Sequence, residues 1–223
     1  MPSKAPDLID WPSTPSGTPF QKLLDAYKKS IKNTHKQVAS LDDVEKYWGV
    51  YRNVGGLYYV LRKTDDVANK IRAYSETWRR AIALAKKTRG RLTPAQVDNL
   101  DRFASIPNKH GGVVPMIESD LTLGATAGAY SSNGTFLDGK LTPVVFSLYP
   151  IKPREIPAGN TLADKRFGII IHEMSHVACQ GSACSGVDKT GHGGDQTVVD
   201  SALRDISAEN GLKPHNPEDR ARK

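Results

Sequence analysis

Apolar positions follow a helical period through residues 20–108, shift to strand-like patterning from 109 to 149, and return to a helical run at 161–178. Phe20, Leu23, Leu24, Tyr27 and Ile31 lie on one face of a first predicted helix. A second starts after Ser40, with Asp43 as the acidic partner three residues on. Its stripe is Leu41, Val44, Tyr47, Trp48 and Tyr51, and Gly55-Gly56 interrupts it before Leu57 to Leu61. A third begins at Thr64, with Asp65 and Asp66 in its first turn, presents Val67, Ile71, Tyr74, Trp78 and Ile82, and ends at Gly90. Thr93-Pro94-Ala95-Gln96 opens a fourth, with Pro at the first helical position.

Beyond Asn108, Gly becomes frequent and β-branched residues alternate with turn signals. Val113-Val114, Leu121 to Tyr130 and Thr142 to Tyr149 read as strands, separated by Ser132-Asn133-Gly134 and Asp138-Gly139. Pro150 to Gly159 is a loop, and Asn160 or Thr161 caps the helix that follows. The pattern predicts an α+β protein: a Pro/Ser-rich, poorly ordered arm at 1–19, a helical region at 20–108, and a small sheet with a central helix at 109–223, the last two forming one compact unit.

Composition changes this picture little. A chain of 223 residues with 38% hydrophobic content can bury a proper core, and no apolar run approaches the roughly 20 residues of a membrane span. The first 20 residues lack the apolar core of a signal peptide. That predicts a cytoplasmic protein, a mature or excised domain, or export by a route without a cleaved signal. The net charge of +7 is uneven: residues 20–110 hold 19 Lys/Arg against 9 Asp/Glu, residues 111–223 hold 11 against 13. A basic helical face can bind nucleic acid, an anionic membrane or an acidic protein partner, and more often is a solvated face. The run from Arg79 to Arg91 lacks interleaved aromatics and matches no nucleic-acid motif, so nucleic acid is not the expected partner.

The chemistry concentrates in His172-Glu173-Met174-Ser175-His176. Positions i and i+4 share a helix face, so the two imidazoles can hold one Zn2+. Glu173, beside the first ligand, can take a proton from a zinc-bound water. The apolar run Phe167 to Ile171 leads in, and Val177-Ala178 follows, as befits a buried helix. A catalytic zinc needs a third protein ligand. Candidates beyond the helix are Asp188, His192, Asp195 and Glu209. Cys179 and Cys184, the only cysteines, could bridge and close the loop carrying that ligand, which implies an oxidising compartment, or remain two free thiols; Cys179 is also placed to ligate metal.

The HEMSH helix, the segment SGVDKTGHG and the closing helix ALRDISAEN resemble the zincin metallopeptidases, and within them the aspzincins, the group of deuterolysin and peptidyl-lysine metalloendopeptidase. The resemblance covers roughly residues 120–220. Metzincin spacing does not fit, because Cys179 and Ser182 stand where Gly and the third His belong. The aspzincin loop pattern Gly-Thr-x-Asp-x-x-Tyr-Gly aligns Asp188 with the third ligand. This chain lacks the Thr and has Gly191-His192-Gly193 near the Tyr-Gly place, shifted by one residue. Two roles stay open for His192: an oxyanion donor in place of the Tyr, or the third ligand itself.

The resemblance implies a zincin-like catalytic region and a zinc metalloendopeptidase acting on a protein or peptide. His172, His176 and Asp188 would hold the metal, with Glu173 and His192 catalytic and an edge strand, Ala125 to Tyr130 or Val144 to Leu148, receiving the substrate. The Pro/Ser arm, the basic helices and the missing signal suit a secreted bacterial effector or toxin, with an immunity protein or secretion chaperone as partner. The alternative is a non-catalytic zinc-containing module that binds through its basic helical face.

Overall fold

The computed structural model describes residues 7–9, 11, 24–25, 28–29, 31–33, 38–52, 58–64, 66–109, 116–117, 130–131, 144–147, 156, 158–188 and 191–211. The fold is α+β. The elements run β1 (Asp7–Ile9), α1 (Leu41–Tyr47), β2 (Trp48–Arg52), β3 (Tyr58–Arg62), α2 (Val67–Ala85), α3 (Pro94–Lys109), β4 (Met116–Ile117), β5 (Tyr130–Ser131), β6 (Val144–Ser147), α4 (Leu162–Ala178) and α5 (Gly194–Glu209). They divide into two compact units, each built from two stretches of chain. One comprises residues 1–72 and 106–150, the other 73–105 and 151–223. The expected boundary at 108/109 does not coincide with this division: the strands of the middle region and the metal-motif helix fall in different units.

The first unit is organised on a mixed sheet of order β1-β2-β3-β4-β6-β5. The β1/β2, β2/β3 and β5/β6 pairs are antiparallel, and β3/β4 and β4/β6 are parallel. Two sequence expectations are corrected here. The second predicted helix stops at Tyr47, and Trp48–Arg52 and Tyr58–Arg62 are paired strands rather than helix. Leu41, Val44, Tyr47, Trp48 and Tyr51 do fit a helical stripe. A short apolar run rich in aromatic and β-branched residues suits a strand equally well, and pairing with neighbours on both sides decides it. The N-terminal segment is likewise more than an arm. Asp7–Ile9 add a strand to β2, and Trp11 is buried with its indole N–H donated to the Trp48 carbonyl at 3.0 Å. Trp11, Leu24, Ile31, Val38, Val44, Trp48, Val50 and Val60 form one apolar cluster.

Local capping was legible where it occurs. Ser40 and Asp43 form a reciprocal capping box on α1, and Lys28 pairs with Glu45 of the same helix. Of the expected middle strands, β6 falls within Thr142 to Tyr149, and Tyr130 begins β5 at the sheet's end. Val113-Val114 and residues 121–129 lie outside the described residues.

The second unit is helical. Trp78, Leu84, Leu100, Phe103, Phe167, Ile171, Met174 and Leu203 are all at most 2% exposed, and Trp78 meets Phe103 edge-on at 4.8 Å between ring centroids. A fully buried Leu, Ile or Phe contributes about 1.5–3 kcal/mol relative to an exposed one, so this apolar set dominates the unit's stability. α4 packs against α5. Among the described residues no helix is long and apolar enough to cross a membrane.

Candidate metal centre

The site begins with the way α4 is started and buried. Thr161 is its N-cap: the hydroxyl accepts from the Asp164 N–H, and the Asp164 carboxylate accepts from the Thr161 N–H at 2.8 Å. Asp164 also faces Arg80 at 3.6 Å. From that fixed start, Phe167, Ile170, Ile171, Met174, Val177 and Ala178 are buried, so the helix cannot rotate about its axis without exposing core. His172 and His176 are left half-buried on one face, with Nε2 atoms 3.2 Å apart. Glu173, between them in sequence, is 7% exposed.

The other nitrogen of each ring is occupied. His172 Nδ1 lies 3.5 Å from Asp200 Oδ1, and His176 is hydrogen-bonded to the Gly191 backbone. An Nδ1 that donates leaves Nε2 as the lone pair in a neutral imidazole. The two Nε2 lone pairs then face each other, an arrangement that favours a cation between them. Zn–N bonds of about 2.0–2.1 Å at the tetrahedral angle place two ligand nitrogens about 3.3–3.4 Å apart, close to the spacing found. His176 is held neutral. Its pKa falls from 6.5 to about 4, chiefly through burial and then through the nearby His172 and His192, with the Gly191 bond and Asp200 opposing.

The third histidine comes from the loop after α4. Ligand atoms of His172, His176 and His192 all lie within 4.8 Å of one another, and no other such group occurs among the described residues. The His192 ring stands 4.6 Å from that of His176, at 84° to it, and 5.4 Å from that of His172, at 24°. Four devices shape this loop. Cys179 and Cys184 are joined in a disulfide. Asn99 donates to the carbonyls of Ala178 and Gln180, while Gln96 donates to the Ala183 carbonyl and to Cys184 Sγ. The Asp195 carboxylate accepts from the Ser185 N–H and hydroxyl, both at 2.8 Å, which draws its pKa down. Asp188 and His192 are latched to each other: the Asp188 N–H donates to the His192 carbonyl at 2.8 Å, and the His192 N–H to the Asp188 carboxylate at 3.1 Å.

Two glycines are required by this path. Gly191 has φ +81°, and a Cβ there would sit 3.3 Å from His176 Nδ1. Gly194 has φ +48°, and a Cβ there would sit 2.3 Å from the Ser185 carbonyl oxygen.

Of the residues singled out in the sequence, the structure brings His172, His176 and His192 together. Asp188 stands outside that cluster, engaged with the backbone of the loop that presents His192. Asp195 is committed to Ser185, and Glu209 forms a two-oxygen ion pair with Arg91 at 3.0 Å. Asp200 and Arg204 carried no sequence motif. Arg204 Nε bonds Asp200 Oδ2 at 2.6 Å, and its Nη2 reaches Asp200 Oδ1 at 3.3 Å and the Gly168 carbonyl at 3.5 Å. Burial pushes the Asp200 carboxyl up, but hydrogen bonds from His172 and Arg204 outweigh it and leave the pKa below 3.8. The spacing of Asp200 and Arg204 on one face of α5 was the only available signal. The basic stretch 79–91 is substantially paired within its unit: Arg80 with Glu76 and Asp164, Arg89 with Asp101, Arg91 with Glu209, and Lys87 with the Asn210 side chain.

Comparison with protein families, with curated proteins and with solved structures finds no match to this chain.

Proposed function

We propose that this protein is a zinc-dependent metallopeptidase with a zincin-like active-site helix, in which His172, His176 and His192 hold the metal. The observation that carries the reading is the convergence of three imidazoles, two of them with Nδ1 engaged and Nε2 atoms 3.2 Å apart, on a helix whose sequence is His-Glu-Met-Ser-His. Three imidazole nitrogens suit zinc and leave its fourth position open. Zinc bound there supplies a Lewis acid for a carbonyl oxygen and acidifies water to a pKa of about 7.

The chain's own residues do the rest. Glu173, next to His172 and largely removed from solvent, takes a proton from the attacking water and delivers it to the leaving nitrogen of the peptide. Neutral His176 stays a competent ligand down to mildly acidic pH. The Cys179–Cys184 disulfide supports function in an oxidising compartment, in keeping with a secreted effector or toxin. Its partners on this reading are a protein or peptide substrate and an immunity protein or chaperone. The internal pairing of Arg80, Arg89 and Arg91 counts against a non-catalytic module that binds through this basic stretch.

The test is zinc content and peptide cleavage, wild type beside Glu173→Gln. One zinc per chain in both, with cleavage in wild type alone, is the expected result. Cleavage by the Glu173→Gln variant at the wild-type rate, or a wild type that holds zinc and cuts nothing in a diverse peptide library, would remove the peptidase reading.

A further inference from the structure

The face of α5 against α4 carries polar residues at positions where a plain core helix would be apolar. Gln196, Asp200 and Arg204 are spaced by four and so form one stripe along the helix. Gln196 is 3% exposed, and the Asp200 and Arg204 side chains are 19% and 13% exposed. Burying an acid and an arginine costs desolvation that a pair of apolar residues would avoid, so the stripe calls for a reason beyond stability.

Its contacts supply one, because all three lead to His172. Gln196 Nε2 donates to Ser175 Oγ at 2.6 Å, and the Ser175 hydroxyl donates to the His172 carbonyl. Asp200 Oδ1 faces His172 Nδ1 at 3.5 Å. Arg204 grips both oxygens of Asp200 and reaches the Gly168 carbonyl one turn before His172 on α4. The ring and the backbone of one histidine are thus held by a single neighbouring helix.

Resting on the metal-site reading above, we propose that Gln196, Asp200 and Arg204 are positioning residues for metal binding: Asp200, clamped by Arg204, fixes the ring orientation and tautomer of His172 so that its Nε2 lone pair points at the metal, while Gln196 anchors the backbone through Ser175. A carboxylate on the far nitrogen of a ligating histidine also makes the ligand more basic, and losing such a partner typically weakens metal binding 10- to 100-fold. The two-point grip of the guanidinium keeps the carboxylate from rotating away.

The experiment is zinc affinity by chelator competition on the full chain, with the absorption spectrum of the cobalt(II)-substituted protein as a report on coordination. Asp200→Asn keeps the shape and an acceptor but removes the charge. It is expected to bind one zinc about 10–100-fold more weakly than wild type and to alter the cobalt spectrum. Arg204→Lys, which keeps the charge but loses the fork, is expected to weaken zinc severalfold. It carries the test should Asp200→Asn fail to fold. Wild-type affinity and an unchanged cobalt spectrum in these variants, with or without a loss of thermal stability, would reduce the stripe to a structural role and overturn the proposal. A wild type that takes up neither metal would overturn the metal reading itself, a result distinct from the other because it precedes any variant.

Discussion

The two pieces of chain that supply the three clustered histidines are built on different principles. His172 and His176 sit on α4, where a four-residue spacing and a buried apolar face fix their relation almost without help from elsewhere. His192 sits on an irregular path whose shape depends on a disulfide, on two side chains of α3, on the Asp195 carboxylate and on glycines with positive φ. The helix offers two imidazoles in fixed geometry; the loop offers one whose position is a sum of separate constraints. A histidine pair on a helix tolerates change around it, whereas a loop histidine is only as well placed as its weakest support.

The strongest break in this comparison is the exchange of roles between His192 and Asp188. His192→Ala is expected to lose most of the bound zinc, whereas Asp188→Asn, which keeps an acceptor for the His192 N–H, is expected to keep one zinc per chain. Its affinity should fall by no more than about tenfold, the worth of one hydrogen bond of roughly 0.5–1.5 kcal/mol. Metal analysis of the two variants decides it. Loss of zinc in Asp188→Asn with retention in His192→Ala would assign the carboxylate as the ligand.

Acid should act on the helix side. In the metal-free protein the His176 pKa is depressed to about 4 from 6.5, so between these values the unfolded chain binds a proton that the folded chain does not. Stability is therefore fully present above about pH 6.5 and is lost as the pH falls toward 4. The Asp200 contribution, with its pKa lowered below 3.8, is lost at still lower pH. Thermal unfolding of the metal-free protein across this range should show the decline, and His176→Gln should flatten it between pH 6.5 and 4. A wild-type profile without slope there would contradict a half-buried, neutral His176.

The disulfide probes the loop side. Cys179 and Cys184 are five residues apart, and closing so short a loop is worth about 2 kcal/mol in the chain-entropy description. The double substitution Cys179→Ser, Cys184→Ser should lower the stability of the metal-free protein by about that amount in urea unfolding. It should also weaken zinc binding in wild type while having little effect on the residual binding of His192→Ala, because only the loop ligand depends on the bridge. Equal weakening in both backgrounds would mean that the bridge also supports α4.

Much of the local structure was legible from short-range chemistry. The Ser40/Asp43 box, the Pro94 start of α3 and the Thr161 cap each follow from hydrogen bonds within four residues. The inward stripe Val67, Ile71, Tyr74 and Trp78 is buried as its period requires, while Ile82 is only half-buried. Trp48–Arg52 departs from expectation because a helical stripe and a buried strand share one apolar pattern and the partners Asp7 to Ile9 and Tyr58 to Arg62 lie elsewhere in the chain. The burial of Trp11 has no local signal for the same reason: its partner, the Trp48 carbonyl, is 37 residues away.

Helical periodicity is a property of consecutive residues, so residue order alone puts two histidines and a glutamate together on one helix. It also places a short list of acids and one further histidine in the stretch after that helix, with Asp188 ahead of His192 as the expected third ligand. That His192 meets the pair while Asp188 latches the loop, and that Asp200 and Arg204 stand behind His172, follows from the folded chain. Those relations depend on how α5 and the disulfide-closed loop fold back on α4, and contacts such as His176 with His192, His172 with Asp200 and Gln96 with Cys184, which are 16, 28 and 88 positions apart, leave no period in a sequence.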